Sequence, residues 1–217
     1  MLDKRLDLKA FRARTILITG GCRSGKSSLA LTIADALHET DVAVKKAFIA
    51  TMPGSGHARQ AGFPEDPEIE ERIRRHQAQR GTGWLTWEEP LEPSCALRAA
   101  EAAGCGVIVL DCVTLWLSNL LCLPHEGFPA PEERGDEWIL GQVRSFAGTT
   151  SCSQAKIIAV TNETGLGIVP ETPLGRRFRD LQGMANSMLA ARFDAVIMTV
   201  CGLPLLLKGV APDKSDK

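Results

Sequence analysis

The sequence predicts an α/β protein, a mostly parallel β-sheet with helices on both faces. Three observations carry this prediction. Short strands with uninterrupted apolar centres, such as 107–110 within 106–111 and 157–160 within 156–161, alternate with longer stretches of helical spacing. A strand apolar on both faces belongs inside a parallel sheet that helices cover. The first such run, Ile16-Leu17-Ile18, leads directly into a glycine-rich loop and then into the helix-forming stretch Ser28-Leu29-Ala30-Leu31.

The elements follow in order. Residues 1–14 are charged and read as an extension, with Leu2, Leu6, Leu8 and Phe11 able to form one amphipathic turn. The first helix ends near His38, and 47–51 is a second buried strand. The Gly- and Pro-rich stretch 53–67 reads as a surface loop. Helical spacing returns over 68–80, with Ile69 and Ile73 on one stripe. Trp84–Glu88 is extended, 92–103 is an alanine-rich helix, and 106–111 is an apolar strand closed by a carboxylate. An apolar helix over 113–123 and a loop over 124–135 precede a helix over 136–147. A strand over 156–161 is followed by a Gly/Pro loop over 164–173 and a helix over 174–192. Ala195–Val200 and 205–208 are the last strands, and 211–217 is a polar tail. Without a repeat or a linker, 15–210 reads as one domain.

Composition narrows the function classes. The 217 residues carry 25 basic and 26 acidic side chains, a net charge of −1, which supplies no general field for nucleic acid or anionic membrane. Tyr is absent and aromatics are 5%, so stacking platforms for bases are not expected. The seven cysteines are scattered and include no Cys-x2-Cys pair, which favours a reducing compartment over a disulfide framework or a zinc site. No signal peptide or membrane span is apparent, and the expected location is the cytoplasm.

The chemistry-bearing residues lie at strand ends, where ligands of such sheets bind. Gly20-Gly21-Cys22-Arg23-Ser24-Gly25-Lys26-Ser27 is a Gly-x4-Gly-Lys-Ser loop between a strand and a helix, the context of a P-loop. Its glycines let backbone N–H groups turn inward around a phosphate, and the helix N-terminus adds donors and partial positive charge. Lys26 can reach the β- and γ-phosphates, and the Ser27 hydroxyl is placed to ligate Mg2+. Asp111 closes an apolar strand, where a carboxylate can complete that metal site. An aspartate here also suits the N-cap of the following helix; the upstream P-loop favours the metal role, and both can hold together.

On the 68–80 helix, Arg72, His76 and Arg80 recur at i, i+4 and i+8 and share a face. Two flanking cations disfavour an imidazolium and keep His76 neutral and nucleophilic. A solvated helix face with an incidental histidine has the same spacing. Arg176, Arg177 and Arg179 near the start of the late helix can bind phosphate or simply be ion-paired. Asn162-Glu163-Thr164-Gly165-Leu166-Gly167 can offer Asn162 and Glu163 to a substrate, or its glycines can serve only the turn.

Several stretches together resemble one family. They are the 20–27 loop, Asp111-Cys-Val-Thr-Leu-Trp-Leu-Ser-Asn-Leu-Leu121, Thr161-Asn-Glu-Thr-Gly-Leu-Gly-Ile-Val-Pro-Glu171 and Leu174-Gly-Arg-Arg-Phe-Arg-Asp180. The chain resembles the bifunctional adenosylcobinamide kinase/adenosylcobinamide-phosphate guanylyltransferases of cobalamin biosynthesis, over about 15–208. The resemblance implies a RecA-like P-loop NTPase fold, ATP and GTP as substrates, Mg2+, adenosylcobinamide and its phosphate as partners, and a homotrimer. It implies phosphorylation of the aminopropanol hydroxyl, then GMP transfer through a covalent GMP–histidine.

The family's Arg-Ile-x-x-His pattern falls on Arg72-Ile73-Arg74-Arg75-His76, so the resemblance makes His76 the nucleophile. It also implies nucleotide contacts from Ala50, Thr51, Met52, Gln77, Ala78, Gln79, Arg80 and Glu88. Two features depart from the family pattern: 53–67 is longer than expected, and 1–14 precedes the usual start. Two other readings use the same P-loop. One is a kinase without the transferase step, and the other is a RecA-like ATPase that switches a binding surface.

Overall fold

The computed structural model describes residues 13–40, 42–52, 71, 74 and 80–209. The expected 53–67 loop, His76 with Arg72, Gln77, Ala78 and Gln79, nearly all of the 1–14 extension and the 211–217 tail lie outside them. Within the 68–80 segment, Glu71, Arg74 and Arg80 are helical.

The described elements are β1 (Thr15–Gly20), α1 (Lys26–Glu39), β2 (Lys45–Ala50), β3 (Trp84–Glu88), α2 (Pro93–Ala102) and β4 (Cys105–Asp111). They continue with α3 (Val113–Cys122), α4 (Asp136–Cys152), β5 (Lys156–Val160), α5 (Pro173–Arg192), β6 (Ala195–Val200) and β7 (Leu203–Lys208). A single 3-10 turn, Pro131–Glu133, sits in the loop before α4.

All seven strands join one sheet in the order β3-β2-β4-β5-β1-β6-β7. The pairings are parallel except the last, where β7 runs antiparallel to β6. Strand β5 lies between the P-loop strand β1 and the carboxylate strand β4, the RecA-like arrangement. Alternation along β1 divides the core: Ile16 and Ile18 face α1 with Leu29, Ile33 and Leu37. Leu17 faces the opposite layer with residues of α2, α3, α4 and α5. This two-sided burial is why the strands read as continuous apolar runs.

Two expectations are corrected. The last strand begins at Leu203, two residues earlier than expected, because Cys201 and Gly202 alone make the turn, both with positive φ (53° and 79°). That left-handed pair is the geometry of a type I′ hairpin, whose usual Asn-Gly signature is missing here. Helix α4 runs to Cys152 rather than 147. Its Thr149, Thr150 and Ser151 hydroxyls donate back to the carbonyls of Ser145 and Ala147, at 2.8–3.1 Å. A run of hydroxyl residues that reads as a helix end is thereby accommodated inside the helix.

Candidate active site

Parallel strands bring their carboxyl ends to one rim, and the sheet order fixes the sequence of residues along it. From β3 inward these are Glu88, then Ala50 and Thr51, Asp111, Asn162 and Glu163, and the loop after Gly20.

The 20–27 loop is fastened to its neighbours. Ser24 Oγ and Thr199 Oγ1 are hydrogen-bonded at 2.6 Å, and the Gly202 N–H donates to Ser24 O at 3.2 Å. The Glu163 N–H donates to Gly20 O at 3.0 Å, tying the 162–167 segment to the same loop. Gly25 occupies the position before α1 with φ 96° and offers no capping side chain. The first-turn N–H groups are therefore left to an anion, the arrangement that binds phosphates at helix N-termini. Gly21, Cys22, Arg23 and Gly25 are exposed, while Ser24 is buried and Ser27 half-buried on the first turn of α1.

Lys26 is buried along its stem, and its Nζ donates to Gly21 O at 2.6 Å. Burial draws its pKa below the ordinary lysine value, against the opposing pull of Cys112, Cys22 and Asp111. A carboxylate felt by Lys26 lies within the loop's electrostatic reach.

Asp111 ends β4, and its Oδ2 is buried with no hydrogen-bond partner. A buried carboxylate oxygen without a donor is costly unless a cation or metal satisfies it. The capping alternative falls to its neighbour: Cys112 is the N-cap of α3, its sulfur accepting from the Leu115 N–H at 3.5 Å. Burial, and then the adjacent Asp111, push the Cys112 thiol up to about 12, so it packs as an inert thiol. Asp111 and Ser27 supply hard oxygen donors suited to Mg2+.

Arg80 lies against Phe48 of β2. Its guanidinium lies 4.1 Å from the centroid of the Phe48 ring, and its Nη1 is buried without a partner. Burial lowers its pKa, while Asp111 and then Glu88 work to raise it. Arg80, Trp84, Thr86 and Glu88 line a cleft of about 370 Å3. A planar cation, an indole and a carboxylate are a set that can hold a flat heterocycle and its exocyclic donors.

The other expected residues have different settings. Thr51 is fully buried: its hydroxyl donates to Cys112 O and accepts from Cys112 N–H, both at 2.7 Å, and its carbonyl accepts from Asn119. It locks the ends of β2 and β4 together, while Ala50 and Met52 beside it are half-buried. Asn162 uses its backbone within the fold, the N–H donating to Thr114 Oγ1 at 2.7 Å and the carbonyl accepting from Asn186 at 2.9 Å. Glu163 Oε1 accepts from the Gly165 N–H at 2.9 Å.

The arginines of α5 act on their neighbours. Arg176 Nη1 donates to the carbonyls of Pro170 and Glu171. Arg177 pairs with Asp136 Oδ1 at 2.6 Å and donates to Arg134 O. Arg179 meets Asp180 at 3.5 Å. Arg177 and Arg179 are ion-paired, and Arg176 is bound to backbone carbonyls.

A polar layer lies beneath the rim. Gln182, fully buried on α5, donates to Thr161 Oγ1 and Asn186 Oδ1, at 2.9 and 2.8 Å. Thr161 Oγ1 in turn donates to Asn186 Oδ1. Gln182 and Asn186 stand four residues apart on α5, a polar i, i+4 pair that is the sequence signal of this layer.

A phosphate-cradling loop on β1, a buried carboxylate on β4 and the intervening β5 define a P-loop nucleotide-binding α/β protein. A sequence profile of the cobinamide kinase / cobinamide phosphate guanyltransferase family matches residues 16–207, and the chain belongs to that family of enzymes. It is 41% identical over 194 residues to the bifunctional adenosylcobalamin biosynthesis protein CobP of Pseudomonas aeruginosa, covering 89% of this chain and 96% of the relative. Identity to the proteins named CobU is 32% in Escherichia coli and 34% in Salmonella typhimurium, each over 89% of this chain and 99% of the relative. Among solved structures, an ATPase domain aligns with a TM-score of 0.47 and 11% identity, covering 87% of this chain and 69% of that one. The flagellar accessory protein FlaH from Methanocaldococcus jannaschii aligns at 0.48 and 14%, covering 95% and 86%.

Proposed function

We propose that the protein phosphorylates adenosylcobinamide with a nucleoside triphosphate. It then transfers GMP from GTP through a covalent GMP on His76, giving adenosylcobinamide-GDP. The observation that carries this reading is the family match over residues 16–207, which takes in the P-loop, the 72–76 pattern, Asp111 and the 162–171 stretch.

In the first step the aminopropanol hydroxyl oxygen attacks the γ-phosphorus and gives up its proton to solvent, the bond to the bridging oxygen breaks, and nucleoside diphosphate leaves. In the second, a neutral ring nitrogen of His76 attacks the α-phosphorus of GTP, and the bond to the α,β-bridging oxygen breaks to release pyrophosphate. A phosphate oxygen of the cobinamide phosphate then attacks that phosphorus, the P–N bond breaks, and the imidazole is regenerated. Dividing the displacement in this way is nucleophilic catalysis.

Lys26 and the loop N–H groups neutralise charge on the departing phosphates. Ser27 and Asp111 would hold Mg2+, which supplies Lewis-acid stabilisation of phosphate oxygens. Arg80 and Glu88, with Ala50 to Met52 and Gln77 to Gln79, are our candidates for guanine-nucleotide contacts. We further assign the protein to the cytoplasm, as a homotrimer whose 15–210 segment is a single domain.

The test is incubation with GTP labelled at the α-phosphorus, followed by denaturation. Wild type is expected to retain label that acid releases, and His76→Ala to retain none. Unlabelled wild type that still phosphorylates cobinamide would favour the kinase-only reading. Undiminished label on His76→Ala would remove the histidine from the mechanism.

A further inference from the structure

The 162–174 segment carries more apolar surface than a turn requires. Leu166 is 79% exposed, Ile168 94%, Val169 56% and Leu174 52%. A cluster of large exposed apolar side chains of this kind marks a binding surface more often than chance.

The segment displaying them is held from several sides. Glu163 is bonded to Gly20 O, and its carboxylate receives the Gly165 N–H. Arg176 clamps the carbonyls of Pro170 and Glu171, and the Thr172 hydroxyl caps α5 by accepting from the Gly175 N–H at 3.1 Å. Ile168 is five steps along the chain from Glu163, so the apolar tip lies within roughly 18 Å of the residue bonded to the phosphate loop.

At Gly165 the segment opens into a groove of about 810 Å3 between α4 and α5, lined by Leu140, Gly183, Met184 and Met188. Gly183 is in mid-helix, where glycine is unfavourable by about 1 kcal/mol, and nothing lies within 4 Å of the place its Cβ would occupy. The absent side chain leaves an open floor, and the flanking methionines are adaptable walls. The charged residues of the groove, Arg179 and Asp180, face one another at 3.5 Å and offset each other.

We propose that the corrin ring of the cobinamide substrate docks on this shelf, against Leu166, Ile168 and Val169, with its edge in the Met184–Met188 groove. The proposal rests on the function proposed above. A broad macrocycle with apolar faces and uncharged amides at its rim suits an apolar, charge-compensated surface. Docking there directs the hydroxyl-bearing arm along 163–165 toward the 20–27 loop.

The test uses the full-length protein carrying Ile168→Asp together with Met184→Glu, two exposed positions, and Val42→Asp as an exposed control elsewhere (75% exposed). Dicyanocobinamide binding is measured by equilibrium dialysis, cobinamide KM and kcat by the kinase reaction, GTP affinity by calorimetry, and assembly size by light scattering. The double variant is expected to weaken dicyanocobinamide binding and raise cobinamide KM by about tenfold or more, the loss from one or two desolvated apolar contacts. Its GTP affinity and assembly size stay at the wild-type values, and Val42→Asp stays at wild type throughout.

Unchanged corrinoid affinity in an active double variant overturns the docking site and leaves the function standing. A change of assembly size before any corrinoid is added also overturns it, giving the shelf to a second copy of the chain. Wild type that neither binds nor phosphorylates cobinamide removes the functional reading, and the docking site with it.

Discussion

Gly20 and Gly21 are adjacent in the loop and physically unlike. A Cβ on Gly20 would lie 2.4 Å from Thr199 O and 2.6 Å from Thr199 Oγ1, at a φ of 145°. A Cβ on Gly21 would meet nothing within 4 Å. Gly20→Ala must therefore push β1 from β6 or distort the loop, and we expect a loss of about 1–3 kcal/mol in urea unfolding. Gly21→Ala should fall within about 0.5 kcal/mol of wild type.

Asp194 gives a second residue-scale prediction. Its Oδ2 accepts the Arg14 and Thr15 N–H groups, both at 2.9 Å. Burial works to raise its pKa, but these N–H groups and the Thr15 hydroxyl outweigh that and hold the carboxyl below the usual aspartate range. A depressed folded pKa stabilises the fold above the unfolded value and stops doing so as pH falls through the folded one. Asp194→Asn should thus cost about 1 kcal/mol at neutral pH, a value already reduced for an exposed carboxylate. The gap between variant and wild type should begin to narrow in unfolding curves taken below about pH 4 and close once the pH is below the depressed folded pKa.

At the scale of elements, the least conspicuous residue is Arg134. It is 1% exposed, donates at 2.8 Å to the carbonyls of Leu120, Leu123 and Pro129, and lies against the rings of Phe128 and Trp138. It closes the carbonyl end of α3 and fixes the approach to α4, the helix that borders the proposed shelf. Arg134→Met leaves those carbonyls without their donor, and we expect about 2–4 kcal/mol of destabilisation by thermal or urea melt. Sequence reading had no access to this residue, because an arginine in a Pro/Gly-rich loop is normally solvated. The strands were legible because burial on both faces writes an apolar run, and the P-loop because its glycines and lysine are contiguous. Long-range pairings leave no such local trace. Arg177 with Asp136, Thr51 with Cys112, and Gln182 with Thr161 each join segments that only the folded sheet brings together.

Over the whole molecule, the parallel sheet explains how so small a chain can assemble two chemistries. Every strand from β1 to β6 ends at the same rim, so the 20–27 loop, Asp111, Glu88 and the 162–167 segment converge although they span much of the sequence. Described residues of the rim contain one lysine in a phosphate-cradling loop, Lys26, and its surroundings are specific to it. Gly21 O, Cys22, Cys112 and Asp111 all act on that one ammonium group.

If kinase and guanylyltransferase steps both draw their triphosphate from this loop, one substitution should silence both. Lys26→Ala is expected to lower ATP-dependent phosphorylation of cobinamide and GTP-dependent labelling of the protein each by about 10²–10³, the usual loss when a fixed electrostatic donor to a developing charge is removed. The two activities should fall together, with a far-ultraviolet circular dichroism spectrum like that of wild type. A variant that loses labelling but keeps its kinase rate would mean that the two reactions use different nucleotide sites. The rim would then have to be divided between them, with Arg80 and Glu88 on the far side of Asp111 serving the second.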